Sequence, residues 1–145
     1  MPDLDSQKPR LLLVDDDDVD ILGVRRKLKS LKIDLTLVVA HDGEEALRIL
    51  RGENGEAPLS APYVILLDLN MPRMNGIEFL SELRRDPRLH RAVVFVFSTS
   101  DALDDIRNAY DLNVAGYVRK TGSQSSLADV LSMVSTYCRL VQLPV

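Results

Sequence analysis

The chain has no tryptophan, a single cysteine and an aromatic content of only 5% in 145 residues. One cysteine, Cys138, excludes an intramolecular disulfide framework and suits a reducing compartment. No apolar run approaches the roughly 20 residues that span a bilayer, and the opening MPDLDSQKPR lacks the apolar core of a secretion signal. The reading is a cytoplasmic protein with no membrane attachment. A basic excess is missing as well: 22 acidic against 18 basic residues give a net charge of −4, which argues against nucleic acid as a partner. Internal repeats and low-complexity segments are also absent.

What is present is a 46% hydrophobic chain of the length of one ordinary domain. Residues 1–9 are polar with two prolines and read as a loose lead-in, residues 10–139 as the folded domain, and residues 140–145 as an apolar tail. Inside the domain, short apolar runs at Leu11–Val14, Leu35–Val39, Tyr63–Leu67, Val93–Phe97 and Gly116–Val118 read as strands. Amphipathic stretches separate them, such as Ile21, Val24, Leu28 and Leu31, or Ile77, Leu80 and Leu83. Asn75 with Glu78 and Asp101 with Asp104 resemble capping boxes, Gly52 sits where the second helix should end, and a last helix is expected over about Ser125–Leu140. Strands alternating with helices imply parallel pairing, because crossover helices are what parallel strands need. The class is α/β, a doubly wound five-stranded parallel sheet with five helices, for which the common strand order is 2-1-3-4-5.

Granting that order, the residues after the strands meet on one edge. Asp15 and Asp16 follow the first strand, Asp68 the third, Ser98 the fourth and Lys120 the fifth. Two unit charges about 4 Å apart repel by roughly 4 kcal/mol at an effective dielectric near 20. Three converging carboxylates therefore call for a cation. With only carboxylates at hand, and His41 and His90 in other segments, a hard ion such as Mg²⁺ or Mn²⁺ fits better than zinc. Mg²⁺ keeps waters that a phosphate can replace, Lys120 could face that phosphate, the Ser98 hydroxyl could donate to it, and a carboxylate can itself be the nucleophile.

VDD at Val14–Asp16, LLDLNMPRMNG at Leu66–Gly76, FSTS at Phe97–Ser100 and AGYVRK at Ala115–Lys120 resemble the signature blocks of two-component response-regulator receiver domains. The resemblance covers about residues 10–139 and implies the flavodoxin-like, CheY-like fold. It implies that Asp68 is the phosphoacceptor, taking its phosphoryl group from a sensor histidine kinase or phosphotransfer protein. It also implies that Asp16, Asp68 and the backbone carbonyl of Asn70 bind Mg²⁺, and that Asp15 acts through metal-bound water. Lys120 and Ser98 would hold the phosphoryl oxygens, and Tyr117 would be the aromatic switch, turning inward as Ser98 is drawn to the phosphoryl group. Thr121 stands where a proline commonly follows the lysine, so a trans Lys120–Thr121 bond and an altered loop are expected. The long connection Gly52–Pro62 looks like that of the small response regulators that partner bacterial phytochromes.

Blander readings stand beside these. Asp17 and Asp18 are helix N-terminal acids favoured by the dipole, Asn75 and Gly76 shape the start of a helix, and Tyr117 could be core packing. The basic face Arg25, Arg26, Lys27, Lys29 and Lys32 is either a solvated surface or a kinase-docking face. Phosphatases of the haloacid dehalogenase type resemble DxD, whereas Asn70 stands two after Asp68. A flavin-binding module would not place aspartates after its first strand. A receiver-shaped interaction module with vestigial phosphorylation is the remaining alternative. The apolar tail RLVQLPV, Arg139–Val145, would be exposed on a lone copy, which suggests a homodimer through the last helix and the tail.

Overall fold

The computed structural model describes residues 8–53, 55–120 and 124–145, the side chains of 124–126 apart. In chain order the elements are β1 (Arg10–Val14), α1 (Asp18–Ser30), β2 (Thr36–Ala40), α2 (Gly43–Arg51), β3 (Tyr63–Leu67), α3 (Gly76–Arg85), β4 (Val93–Ser98), α4 (Leu103–Asp111), β5 (Gly116–Arg119) and α5 (Gln124–Leu140). The five strands form one sheet in the order β2-β1-β3-β4-β5, every pairing parallel. The expected topology is the observed one.

The continuous apolar strands are explained by what covers them. Leu12, Val14, Ile65, Leu67, Val94 and Val96 point into one core with Leu47, Leu50, Phe79, Leu80 and Leu83 of α2 and α3. Leu11, Leu13, Val64, Leu66 and Phe95, one residue out of phase, point into a second core with Ile21, Val24 and Leu28 of α1 and Val130, Leu131 and Val134 of α5. Successive side chains of a strand face opposite ways, so a sheet covered on both faces needs apolar residues at both parities. Each such side chain contributes about 2 kcal/mol on burial.

Helix boundaries follow local chemistry. Asn75 accepts from the Glu78 N–H while the Glu78 carboxylate accepts from the Asn75 N–H, the reciprocal capping box expected at α3. Gly52 ends α2 in the left-handed region at φ 73°, with its N–H on the Arg48 carbonyl. The Asp101–Asp104 pair does not cap α4. Ala102 is the N-cap and makes no side-chain cap bond. Instead Ser100 Oγ accepts from the Ala102 N–H and donates to Asp105 Oδ2 at 2.5 Å, fastening the loop one residue before the expected place. The second strand runs Thr36–Ala40 rather than Leu35–Val39, and Ser98 is the last residue of β4 rather than the first after it.

Of the expected lead-in, residues 1–7 lie outside the described residues, while the Pro9 carbonyl accepts from Thr36 N–H at the edge of the sheet. The expectation for the Lys120–Thr121 bond also lies outside them. The tail departs from its reading: Leu143 is 3% exposed, buried by its own chain, while Leu140 and Val145 are open to solvent. Pro144 and Val145 border a cavity of about 470 Å³ beside Arg51, Leu59, Tyr63 and His90, so the tail lies along the amino-terminal ends of the strands.

Candidate functional site

Two acids and a lysine are set in place by backbone bonds that continue the sheet past its strands. Asp15 N–H donates to the Ala40 carbonyl at 3.0 Å, Asp68 N–H to the Val14 carbonyl at 2.9 Å and Lys120 N–H to the Ser98 carbonyl at 2.7 Å. Gly76 fixes Asp68 from the other side. A Cβ there would stand 2.7 Å from the Asp68 carbonyl oxygen and from Leu69 Cα, so only glycine lets α3 begin this close to the loop after β3.

The result is a carboxylate cluster. Oxygens of Asp15, Asp16 and Asp68 all lie within 4.8 Å of one another; Asp15 and Asp68 are buried and Asp16 is exposed. Adjacent ligands of an octahedral Mg²⁺ stand about 3 Å apart and only opposite ones about 4 Å, so these oxygens would have to draw together by up to about 2 Å, or reach the ion through water, to share it. The donor set is all oxygen, which suits Mg²⁺ or Mn²⁺ and not zinc. A depression of about 390 Å³ opens beside Asp16, lined by Asn70, Pro72, Asn75 and Asp105 among others.

Lys120 enters the cluster as its counter-charge. Its Nζ lies 2.9 Å from Asp20 Oδ2, 3.1 Å from Asp15 Oδ2 and 3.6 Å from Asp68 Oδ2, and 5.4 Å from the Phe97 ring centre. Burial is the main influence on both buried acids: it pushes Asp15 up to about 6 against the opposing Asp17 N–H and Lys120, and it raises Asp68, with Asp16 and Asp20 adding to the effect. Burial also works against the Lys120 charge, but the hydrogen bond to Asp20 and the charges of Asp15 and Asp68 together outweigh it and the ammonium titrates above its usual range. Four carboxylates against one ammonium leave a negative site, and a divalent cation is what relieves it.

Ser98 is fully buried and its Oγ accepts from Ser100 N–H at 3.2 Å. Tyr117 is turned toward the core, its hydroxyl donating to the Ser100 carbonyl at 2.8 Å, which ties β5 to the loop after β4. Asn70 joins the two neighbouring loops: its N–H donates weakly to Asp68 Oδ1 at 3.4 Å and its Nδ2 to Thr99 Oγ1 at 3.5 Å. Asp17 proves to be the N-cap of α1, and Asp18 is its exposed first residue.

Asp20 was not anticipated. In the sequence it looks like one more acid in a first helical turn.

Acidic oxygens and a lysine at the carboxyl end of a 2-1-3-4-5 parallel sheet place the protein in the receiver class of signalling domains. Sequence comparison agrees: the model of the response regulator receiver domain matches residues 11–132, and the chain belongs to that family. The response regulator Rcp1 of Synechocystis sp. is 36% identical over 131 residues, covering 90% of this chain and 87% of Rcp1. Among solved structures, the phosphorylated cyanobacterial phytochrome response regulator RcpA matches with a TM-score of 0.85 at 36% identity, covering 96% of this chain and 99% of RcpA. The Mn²⁺-bound form of Rcp1 matches with a TM-score of 0.80 at 33% identity, covering 95% and 99% of the two chains. The protein is a receiver-type response regulator, a phosphoacceptor of two-component signalling whose homologues include phytochrome response regulators. Receiver domains bind divalent metal and work with histidine kinases. No helix among the described residues is long and apolar enough to cross a membrane.

Proposed function

We propose that Asp68 is the acceptor, and that Asp16, Asp68 and the Asn70 carbonyl hold Mg²⁺, or Mn²⁺ in its place, with Asp15 acting through a metal-bound water. The observation that carries this reading is the convergence of the Asp15, Asp16 and Asp68 oxygens within 4.8 Å, with the Lys120 ammonium beside them. The ion supplies charge neutralisation, for the acids and for an incoming phosphoryl group. An Asp68 carboxylate oxygen forms the new bond to phosphorus while the bond from phosphorus to the donor, a histidine nitrogen in a kinase or phosphotransfer protein, breaks. Lys120 and the Ser98 hydroxyl then pair with the phosphoryl oxygens. Ser98 Oγ accepts from Ser100 N–H, so its hydroxyl can donate its own hydrogen to a phosphoryl oxygen while keeping that contact, which links the phosphoryl group to the loop that carries Ser100. Tyr117, bonded to the Ser100 carbonyl, holds that loop to β5. Phosphorylation is thereby passed through this loop to the face made by α4, β5 and α5.

Residues 10–139 form the receiver, and the kinase is of the phytochrome type, a reading supported by the likeness to RcpA, a cyanobacterial phytochrome response regulator, and by the long Gly52–Pro62 connection. A second copy packs on α5 and the tail. Because Leu143 is buried at home, its contact is made by Met133, Leu140 and Val141, which are exposed, with Met133 and Leu140 seven residues apart on one helical face.

The decisive experiment is incubation with Mg²⁺ and acetyl phosphate. Wild type gains one phosphoryl mass, and Asp68→Asn gains none. Labelling that survives in Asp68→Asn at wild-type rate refutes the assignment.

A further inference from the structure

An ammonium group has three hydrogens to give. In this structure Lys120 spends them away from the proposed acceptor: Asp20 Oδ2 at 2.9 Å and Asp15 Oδ2 at 3.1 Å are both nearer than Asp68 Oδ2 at 3.6 Å. Asp15 and Asp68 extend from strand ends. Asp20 is different, because it belongs to the first turn of α1 and its side chain is 41% exposed. It is the nearest group to Nζ and yet has no place in the set of residues assigned to the metal or the phosphoryl group.

We infer that Asp20 is a positioning residue that holds the Lys120 ammonium on the α1 side of the site and competes for it with the phosphoryl group on Asp68. This inference rests on the assignment of Asp68 as acceptor. A phosphoryl group carries close to two negative charges and three acceptor oxygens. To pair with it, the ammonium has to move from Asp20 and Asp15 toward Asp68. Whatever free energy the Asp20 contact holds is subtracted from the pairing with phosphate. An ion pair at this exposure is worth a few-fold in an equilibrium, not orders of magnitude. Asp20 therefore tunes the strength with which the site holds a phosphoryl group without deciding whether it does.

Beryllium fluoride with Mg²⁺ serves as the probe, as a tetrahedral phosphoryl analogue that binds a carboxylate oxygen reversibly, with affinity read by calorimetry. Asp20→Asn keeps the shape and removes the charge. It is expected to bind the probe about fivefold more tightly than wild type. Asp18→Asn, which removes an equal charge from an exposed position in the same turn, measures the general electrostatic contribution and is expected to change affinity less than twofold. In a Lys120→Met background, Asp20→Asn should bring no more gain than Asp18→Asn does, since the two residues then no longer share an interaction. Far-ultraviolet circular dichroism confirms that each variant is folded.

An Asp20→Asn gain no larger than that of Asp18→Asn, an unchanged gain in the Lys120→Met background, or weaker probe binding in Asp20→Asn would each overturn the inference. Failure of wild type to bind the probe while remaining folded would instead remove the acceptor assignment, and the competition with it.

Discussion

Two partly buried cations, at opposite ends of the sheet, are treated in opposite ways. Arg84, near the end of α3, donates to four backbone carbonyls: Leu112, His90 and Ala92 at 2.7 Å each and Asn113 at 3.1 Å. Its partners are neutral, fixed by the loops before β4 and β5, and complete. Lys120 sits among carboxylates that can each take a metal, a proton or another partner. Burial lowers the Arg84 affinity for its proton, whereas the acids around Lys120 raise that of the lysine. A charge satisfied by backbone dipoles builds a rigid joint. A charge held among an excess of opposite charges builds a site that changes state.

That contrast is open to direct attack. Arg84→Met leaves four carbonyls without their donor and is expected to lower unfolding free energy by about 3 kcal/mol in urea titrations followed by circular dichroism. Added Mg²⁺ should recover none of that loss. Lys120→Met removes the ammonium that Asp15, Asp20 and Asp68 share and should cost about 2 kcal/mol at pH 7 without metal, a loss that saturating Mg²⁺ largely restores. If Mg²⁺ rescued both variants or neither, the division between joint and site would fail.

Acidity offers a third approach. Burial pushes Asp15 up to about 6 in the folded chain against the usual 3.8 of an aspartate, so between these values the folded state binds the proton more tightly than the unfolded one. This group's contribution to stability therefore falls as pH rises from about 4 to 7, by about 2 kcal/mol in metal-free protein. The difference in unfolding free energy between wild type and Asp15→Asn across that range isolates it, and Mg²⁺, which needs the ionised acid, should bind more weakly below pH 6. Last and smallest, Asp68→Asn should raise metal-free stability by about 1 kcal/mol by thinning the like charge, with a correspondingly weaker response to Mg²⁺. A decrease instead would mean that the Lys120 contact outweighs the repulsion.

The residues differ in how openly they announced these roles. Strands were legible because coverage on both faces demands unbroken apolar runs, and Asn75–Glu78 and Gly52 mark helix ends by their own chemistry. Asp15, Asp16, Asp68, Ser98 and Lys120 were legible as a group because parallel strands deliver what stands at their ends to one edge. Asp20 was not, since an acid in a first helical turn is fully explained by the dipole until a cation from residue 120 is seen against it. Arg84 was hidden for a similar reason: carbonyl partners carry no signature in a sequence. The start of α4 was misplaced because Asp101 and Asp104 have the spacing of a capping box, while the fastening is done by Ser100. Leu143 was taken for a sticky end because the return of a tail onto its own domain has no periodicity to reveal it.

Between Asp68 and Gly76 the chain has no freedom to change its length. Because the helix backbone rests directly on the Asp68 peptide, with no room for a methyl group, an inserted or deleted residue in LNMPRMN would lift the two apart and re-aim the carboxylate. Drift in this protein is thus confined to exchanging one side chain for another along that segment, and the distance in residues from Asp68 to the helix is a ruler that its descendants must inherit unaltered.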